Sequence, residues 1–224
     1  MLTPLQRRVL EIVWSVEGIE GLALAGGGGL IVHGVVDRRT EDLDLFGTSP
    51  EDVNRGLPLI EKALADHGFD VERDRVADGF ARLIISSDTE STRLDLGWEP
   101  RTLKPEPSPT GPVLPEEELA AGKTLALFGR ALPRDFDDVS KLVDRFGLER
   151  LCTLAAERDP GFDREIFIQM LGQFSKWPRA DFNLTDSEYE QLKQEVEDWR
   201  RQLRGLRRDQ LGRDLDPEPP GLGL

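Results

Sequence analysis

Two aspartates two residues apart, Asp42 and Asp44 in Glu41-Asp42-Leu43-Asp44-Leu45-Phe46, are the side chains of this sequence whose spacing most directly suggests chemistry. Charged and apolar residues alternate there, so a strand of period two sends Leu43 and Leu45 to one face and both carboxylates to the other. Carboxylates this close repel one another unless a cation lies between them. A hard divalent ion, Mg²⁺ or Mn²⁺, removes that repulsion. It can also stabilise the attacking and leaving oxygens of an in-line phosphoryl displacement on a nucleoside triphosphate. A third ligand normally completes such a site. Asp95, in Thr92-Arg93-Leu94-Asp95-Leu96-Gly97-Trp98, supplies it if that strand lies beside the first, because Leu94 and Leu96 then face the core. Asp-x-Asp on a surface strand is common, so the pair needs a second feature before it means catalysis.

That feature precedes it by about a dozen residues. Gly21-Leu22-Ala23-Leu24-Ala25 reads as a short buried strand running into Gly26, Gly27, Gly28 and Gly29, after which Leu30, Ile31 and Val32 start a helix. Glycines let backbone N–H groups approach an anion at a helix N-terminus. The dinucleotide fingerprint G-x-G-x-x-G fails, since Ile31 and Val32 stand where its last glycine belongs. A Walker loop fails as well, because no lysine follows. His33, alone after the turn, reads as a packed residue.

The elements that must position these groups follow from periodicity. Leu5, Val9, Leu10, Ile12 and Val13 predict a helix over 2–16, Ser49-Pro50-Glu51-Asp52 caps another over 49–67, and FARLIIS and TRLDLGW predict two strands around SDTES. Six prolines between 100 and 115 exclude a regular element. Residues 1–100 therefore form one domain and 101–115 an extended linker. Helical patterns over 116–130, 134–146, 147–158, 162–175 and 185–210, the last interrupted at Gly205, make 116–213 an all-helical domain, and 214–224 reads as a disordered tail. The fold class is α+β. The single cysteine excludes an intramolecular disulfide framework and a CxxC site, and Cys152 reads as a buried helix residue. With no signal-like or membrane-spanning run, the expected location is the cytoplasm, with no membrane partner. A formal charge of −14 argues against a general nucleic-acid coat but not against a local basic groove.

Strand, glycine turn, short helix and D-h-D-h strand together resemble the DNA polymerase β-like nucleotidyltransferase superfamily throughout LAGGGGLIVHGVVDRRTEDLDLF. The resemblance implies an N-terminal domain of mixed sheet with flanking helices. It narrows further, because Arg38-Arg39-Thr40-Glu41-Asp42-Leu43-Asp44-Leu45-Phe46 resembles the R-x-[ST]-x-D-h-D-h-F string of the AbiEii/AbiGii toxin family. AAGKTLALFGRALPRDFDDVSKLVDRFG, residues 120–147, resembles that family's helical block, a lysine followed by R-D-x-x-D-h. The resemblance implies a two-domain toxin of a toxin–antitoxin system, similar to the mycobacterial MenT nucleotidyltransferases, which add nucleotides to the 3′ acceptor end of tRNA and so block translation. The resemblance implies that Gly28, Gly29, Arg38 and Thr40 contact the nucleotide and that Asp42 and Asp44 hold Mg²⁺. It further implies that Lys123 neutralises the phosphates, that Asp138 or Asp135 completes the catalytic set, and that the partner is an AbiEi-like antitoxin. One departure from the family pattern is Leu30, where a hydroxyl residue usually follows the glycines.

Residues 199–213 hold six arginines and one acid. Arg200, Arg204, Arg207 and Arg208 are thus candidate contacts to an acceptor stem, joined by Lys176 beside Trp177. Two other readings share the glycine turn and the aspartates: a nucleotidyltransferase acting on an antibiotic or other small molecule, and a non-enzymatic homologue that serves as a binding partner. The R-D-x-x-D-h block counts against the first, and the intact set Asp42, Asp44, Lys123 and Asp138 against the second.

Overall fold

A computed structural model describes the backbone of residues 1–214 and the side chains of residues 1–205. The tail expected over 214–224 lies, from residue 215 on, outside the described residues. The chain divides after Lys123 into two compact units. The first is built from α1 (Pro4–Trp14), β1 (Ala23–Leu24), α2 (Gly26–Val32), β2 (Asp42–Gly47), α3 (Pro50–Asp66), β3 (Asp70–Ala77), β4 (Phe80–Ser86) and β5 (Ser91–Trp98), followed by the start of α4 (Glu116–Gly129). The second continues from α4 through α5 (Pro133–Phe146), α6 (Leu148–Arg158), α7 (Arg164–Leu171), short 3-10 turns at Gly172–Lys176 and Arg179–Asp181, and α8 (Asp186–Asp214). Its described elements are all helices, as expected. Among the described residues no helix is long and apolar enough to cross a membrane.

The first unit's sheet has the order β1-β2-β5-β4-β3 and is mixed, with β2 and β5 parallel and every other neighbour antiparallel. Alternation in β2, β4 and β5 sends Leu43, Leu45, Leu83, Ile85, Leu94 and Leu96 to one face, each fully buried. Val9, Leu10 and Val13 of α1 and Val53, Ile60 and Leu64 of α3 join them in one core. The opposite face is left to Asp42, Asp44, Arg82, Arg93 and Asp95. β3 has no counterpart among the predicted elements. It is an edge strand of sequence DVERDRVA, exposed at nearly every position, so no buried face imposes alternation on it, while its charges guard the open edge.

Three further expectations are corrected. The glycines do not form a turn before a helix: α2 begins at Gly26 and they are its first turn. The stretch 101–115 is extended but packs against the first unit. Leu24 N–H donates to the Pro112 carbonyl and Leu114 N–H to the Leu24 carbonyl, each at 2.9 Å, so this segment covers the outer edge of β1. Proline supplies a carbonyl to such an edge although it lacks an N–H. Gly205 does not interrupt α8, because a glycine costs a helix only about 1 kcal/mol and Leu203 beside it is buried.

Helix α3 starts as its sequence predicts. Ser49 Oγ accepts from the Asp52 N–H, and Asp52 Oδ2 accepts from the N–H groups of Ser49 and Thr48 and from the Thr48 hydroxyl, a capping box. Burial alone would raise the Asp52 carboxyl. The Thr48 and Ser49 donors and the nearby Arg55 outweigh it, and the carboxyl is held below the ordinary aspartate range. A group with a lowered folded-state pKa contributes stability that is complete above its unfolded value and lost as pH falls through the folded one. Asp52→Ala should therefore cost about 0.5–2 kcal/mol in urea unfolding at neutral pH. The gap to wild type should narrow at about pH 3, below the unfolded aspartate value of ~3.9.

Candidate active site

The site is assembled from the start of the chain inward. Thr3 caps α1 and receives its partner from the same helix, since the Thr3 N–H donates to Gln6 Oε1 at 3.0 Å. The other end of the Gln6 amide, buried in the core, donates to the Thr40 carbonyl at 3.0 Å and to Thr92 Oγ1 at 3.4 Å. Gln6 thereby ties the loop before β2 to α1 and β5. Thr40, itself buried, then donates its hydroxyl to the Asp42 carbonyl at 3.1 Å and to Asp42 Oδ1 at 3.2 Å. Sequence reading assigned Thr40 to the nucleotide. The structure shows it bonded to Asp42, a contact no spacing rule reveals.

Asp44 is positioned by backbone. Ala25 N–H donates to the Asp44 carbonyl at 2.8 Å, which brings the start of α2 against β2. The Asp44 carboxylate then lies where a Cβ on Gly26 would be, and Gly26 has φ +54°, a left-handed conformation open to glycine. A Cβ on Gly27 would lie 2.9 Å from Thr40 Oγ1 and 3.5 Å from Arg38 Nη2. The first turn of a helix has N–H groups without intrahelical partners, here those of Gly26, Gly27 and Gly28. Gly29 N–H already donates to the Ala25 carbonyl at 2.8 Å, and the space over its Cα is filled by Leu119. Gly29, expected at the triphosphate, is thus a packing residue. The faces turned to the carboxylates and to Arg38 are those of Gly26 and Gly27. Gly28 packs its Cα against Leu24 and could offer an anion only its N–H.

β5 lies beside β2, the condition on which Asp95 was a candidate, and Asp95 is in register with Asp44. Its carboxylate is not available in the way expected of a third metal ligand. Arg82 Nε donates to Oδ1 at 2.8 Å and Nη2 to Oδ2 at 2.6 Å, a two-point fork that also holds the arginine pKa above its ordinary value. Asp42 receives one such bond, from Arg93 Nη2 to Oδ2 at 2.6 Å. Among the described residues no group of three or more His, Cys, Asp or Glu side chains is arranged to hold a metal. Two carboxylates facing a glycine cradle still fit Mg²⁺, which commonly takes one or two carboxylates and completes its shell with water and substrate phosphates.

The helical block divides differently. Asp135, fully buried, caps α5: Oδ2 accepts from the Leu132 N–H at 3.1 Å and from Arg130 Nε at 2.9 Å, and Oδ1 from Arg130 Nη2 at 2.9 Å. This is a structural duty. Asp138, equally buried, lies one turn on, and Lys123 is part-buried on α4. Arg200 pairs with Glu197 at 2.8 Å and packs over Gly172, and Arg201 pairs with Asp198, so these arginines are less available to a polyanion than their sequence suggests. Arg204 and Lys176 are exposed. The side chains of Arg207 and Arg208 lie outside the described residues. His33 is packed, with Nε2 2.8 Å from the Leu114 carbonyl. Burial pushes the Cys152 thiol up to about 12, in keeping with an inert helix residue.

Residues 8–219 match the family described as "Nucleotidyl transferase AbiEii toxin, Type IV TA system". Among solved structures, JHP933 from Helicobacter pylori is similar at 16% identity and a TM-score of 0.56, over 96% of this chain and 98% of that one. A second H. pylori protein, proposed as a nucleotidyltransferase, is similar at 15% identity and 0.51, over 89% and 95%. At these identities the likeness shows the fold. No curated protein matches the chain.

Three substitutions check the geometry, read as Mn²⁺-dependent binding of a fluorescent nucleoside triphosphate beside a thermal melt. Gly26→Ala should weaken binding at least about tenfold, because the methyl displaces Asp44 and the left-handed backbone costs of order 1–3 kcal/mol. Gly129→Ala, whose Cβ meets nothing within 4 Å, should change neither. Asp95→Asn should keep cation-dependent binding while lowering stability by about 1–3 kcal/mol through the unmatched Arg82. Lost binding at unchanged melting would return Asp95 to the metal.

Proposed function

This chain belongs to the AbiEii family of nucleotidyltransferase toxins of type IV toxin–antitoxin systems, and on that premise we propose that it transfers a nucleoside monophosphate from an NTP to the 3′ acceptor end of tRNA and so blocks translation. The observation that carries the reading is the cradle itself: Gly26 and Gly27 without side chains, Asp42 and Asp44 on one strand face beside them, and Arg38 at its rim.

In this reading the triphosphate meets the N–H groups of Gly26 to Gly28 and the Arg38 guanidinium, and Asp42 and Asp44 hold Mg²⁺. When bound, the metal neutralises phosphate charge in the ground and transition states. Thr40 and Arg93 keep the Asp42 carboxylate turned toward the site. The 3′-hydroxyl oxygen bonds to the α-phosphorus as the α–β anhydride bond breaks. Pyrophosphate departs and the hydroxyl proton passes to solvent. Positioning and fixed charge account for most of such a step, since the protein forms no covalent bond. Lys123 and Asp138 join the set on the motif of residues 120–147, Lys123 as a compact positive charge for the phosphates. Asp135 is left out of the set because its oxygens serve Arg130 and Leu132. The partner is an AbiEi-like antitoxin and the setting is the cytoplasm.

The test is incubation of purified protein with Mg²⁺, total tRNA and each α-labelled NTP separately, resolved on a denaturing gel, with Asp44→Ala alongside. Label should appear on tRNA with wild type and fall by about 10²-fold or more in the variant at unchanged melting temperature. No label with any NTP, from folded protein that binds NTP and Mg²⁺, would sink the tRNA reading. Loss of growth inhibition in the same variant ties the chemistry to toxicity.

A further inference from the structure

The helical unit carries an open pocket of about 270 Å³ lined by Arg130, Met170, Gln173, Lys176 and Trp177. Two of its walls are built rigidly. Trp177 Nε1 donates to the Ala131 carbonyl at 2.8 Å, which fixes the indole plane and removes its N–H from any ligand. Ala131 is, among the described residues, the non-glycine residue with positive φ, +47°, and it is fully buried where α4 turns into α5. Arg130 precedes it, with its guanidinium held on Asp135 by the two-point fork. Both the aromatic and the arginine walls are therefore set by the same turn. Lys176, exposed at the rim, adds a positive charge in a protein of formal charge −14. The neighbouring cation Arg179 is turned away, donating to the Phe182 carbonyl at 3.0 Å and lying over the Tyr189 ring.

A fixed indole that offers no donor, a soft thioether beside it and a rim cation select a flat ring joined to an anion. The volume decides how much of such a ligand enters. Pockets that enclose small molecules measure roughly 300–1,000 Å³, so this one takes a single base and leaves the attached phosphate outside. We propose that the Trp177 pocket is a docking site for one unpaired nucleotide of an RNA strand, the base against the indole and the phosphate at Lys176. The inference rests on the RNA reading above and adds where the helical unit holds the strand.

Binding of a 5′-labelled oligoribonucleotide duplex with a single-stranded 3′ end, followed by fluorescence anisotropy on the full chain, tests it together with a melt for each variant. Trp177→Ala should weaken binding roughly 5- to 100-fold, while Trp177→Phe, which keeps an aromatic face but loses the N–H, should stay within about threefold of wild type. Lys176→Ala, at an exposed position, should lower the slope of log K against log salt by about 0.7. A wild-type chain that binds no RNA overturns the substrate reading, and this inference with it. A wild-type chain that binds RNA, with Lys176→Ala unchanged in affinity and salt slope, overturns the pocket alone. Equal loss in Trp177→Phe and Trp177→Ala makes the indole a strut for Ala131 and overturns stacking. Displacement of the RNA by AMP at comparable affinity assigns the pocket to a free nucleotide and overturns the strand.

Discussion

The Asp44 carboxylate occupies the volume that any side chain at position 26 would need, and the rest of the site depends on that contact. It forces glycine at 26, which in turn permits the left-handed φ with which α2 leaves β1. The hydrogen bond from Ala25 N–H to the Asp44 carbonyl then locks helix start and strand together through backbone alone. A phosphate-sized anion facing this corner would meet N–H groups on one side and two carboxylates on the other. That combination is favourable only with a cation between anion and carboxylates, which is why the triphosphate site is proposed together with a divalent ion.

The polar face of the sheet shows how a strongly acidic chain keeps its carboxylates apart in function. Asp95 and Asp42 each take an arginine from a neighbouring strand position, but in different ways. Arg82 grips Asp95 at two points, which uses both oxygens and fixes the pair as a structural unit. Arg93 touches Asp42 through a single Nη2, its Nε remaining buried without a partner, and Thr40 holds the other oxygen with a long bond. The fork at Asp95 engages both carboxylate oxygens with one guanidinium, a stronger and more directional pairing than a single-point bond. The same residue type on adjacent strands is thereby held in two different ways.

This division was only partly legible in the sequence. β2 and β5 were legible because each buries one face: Leu43 and Leu45, then Leu94 and Leu96, declare their orientation by alternation, and with it the side on which Asp42, Asp44 and Asp95 lie. The register that sets Asp44 beside Asp95 did not follow from that pattern, because alternation fixes the face of a residue and not its partner on the next strand. β3 was illegible for the converse reason, since an edge strand exposed on both faces has no period to read. Nor does spacing tell that Arg82 reaches across to Asp95, that Gln6 ties Thr40 to α1, or that Leu119 covers Gly29, because these are contacts between residues distant in sequence. The glycine tract was recognisable as a backbone site, but which glycine faces the chemistry depends on helix phase, and the helix starts earlier than its apolar residues suggest. The proline-rich stretch was legible as extended, not as the cover of β1.

Asp135 and Asp138 illustrate a finer distinction that burial alone does not make, since both are fully buried on the same helix. A buried carboxylate costs several kcal/mol unless hydrogen bonds offset the loss of water. At Asp135 the offset is visible and structural: it sits in the first turn of α5, where unpaired N–H groups need an acceptor, and the Leu132 N–H and the Arg130 fork satisfy both oxygens. Asp138 lies past that turn, where the helix backbone supplies its own partners and no end needs capping. The end of the helix gives position 135 its own reason for an acid. The motif R-D-x-x-D-h presents the two residues as equals, whereas the fold gives the first of them the duty of capping α5.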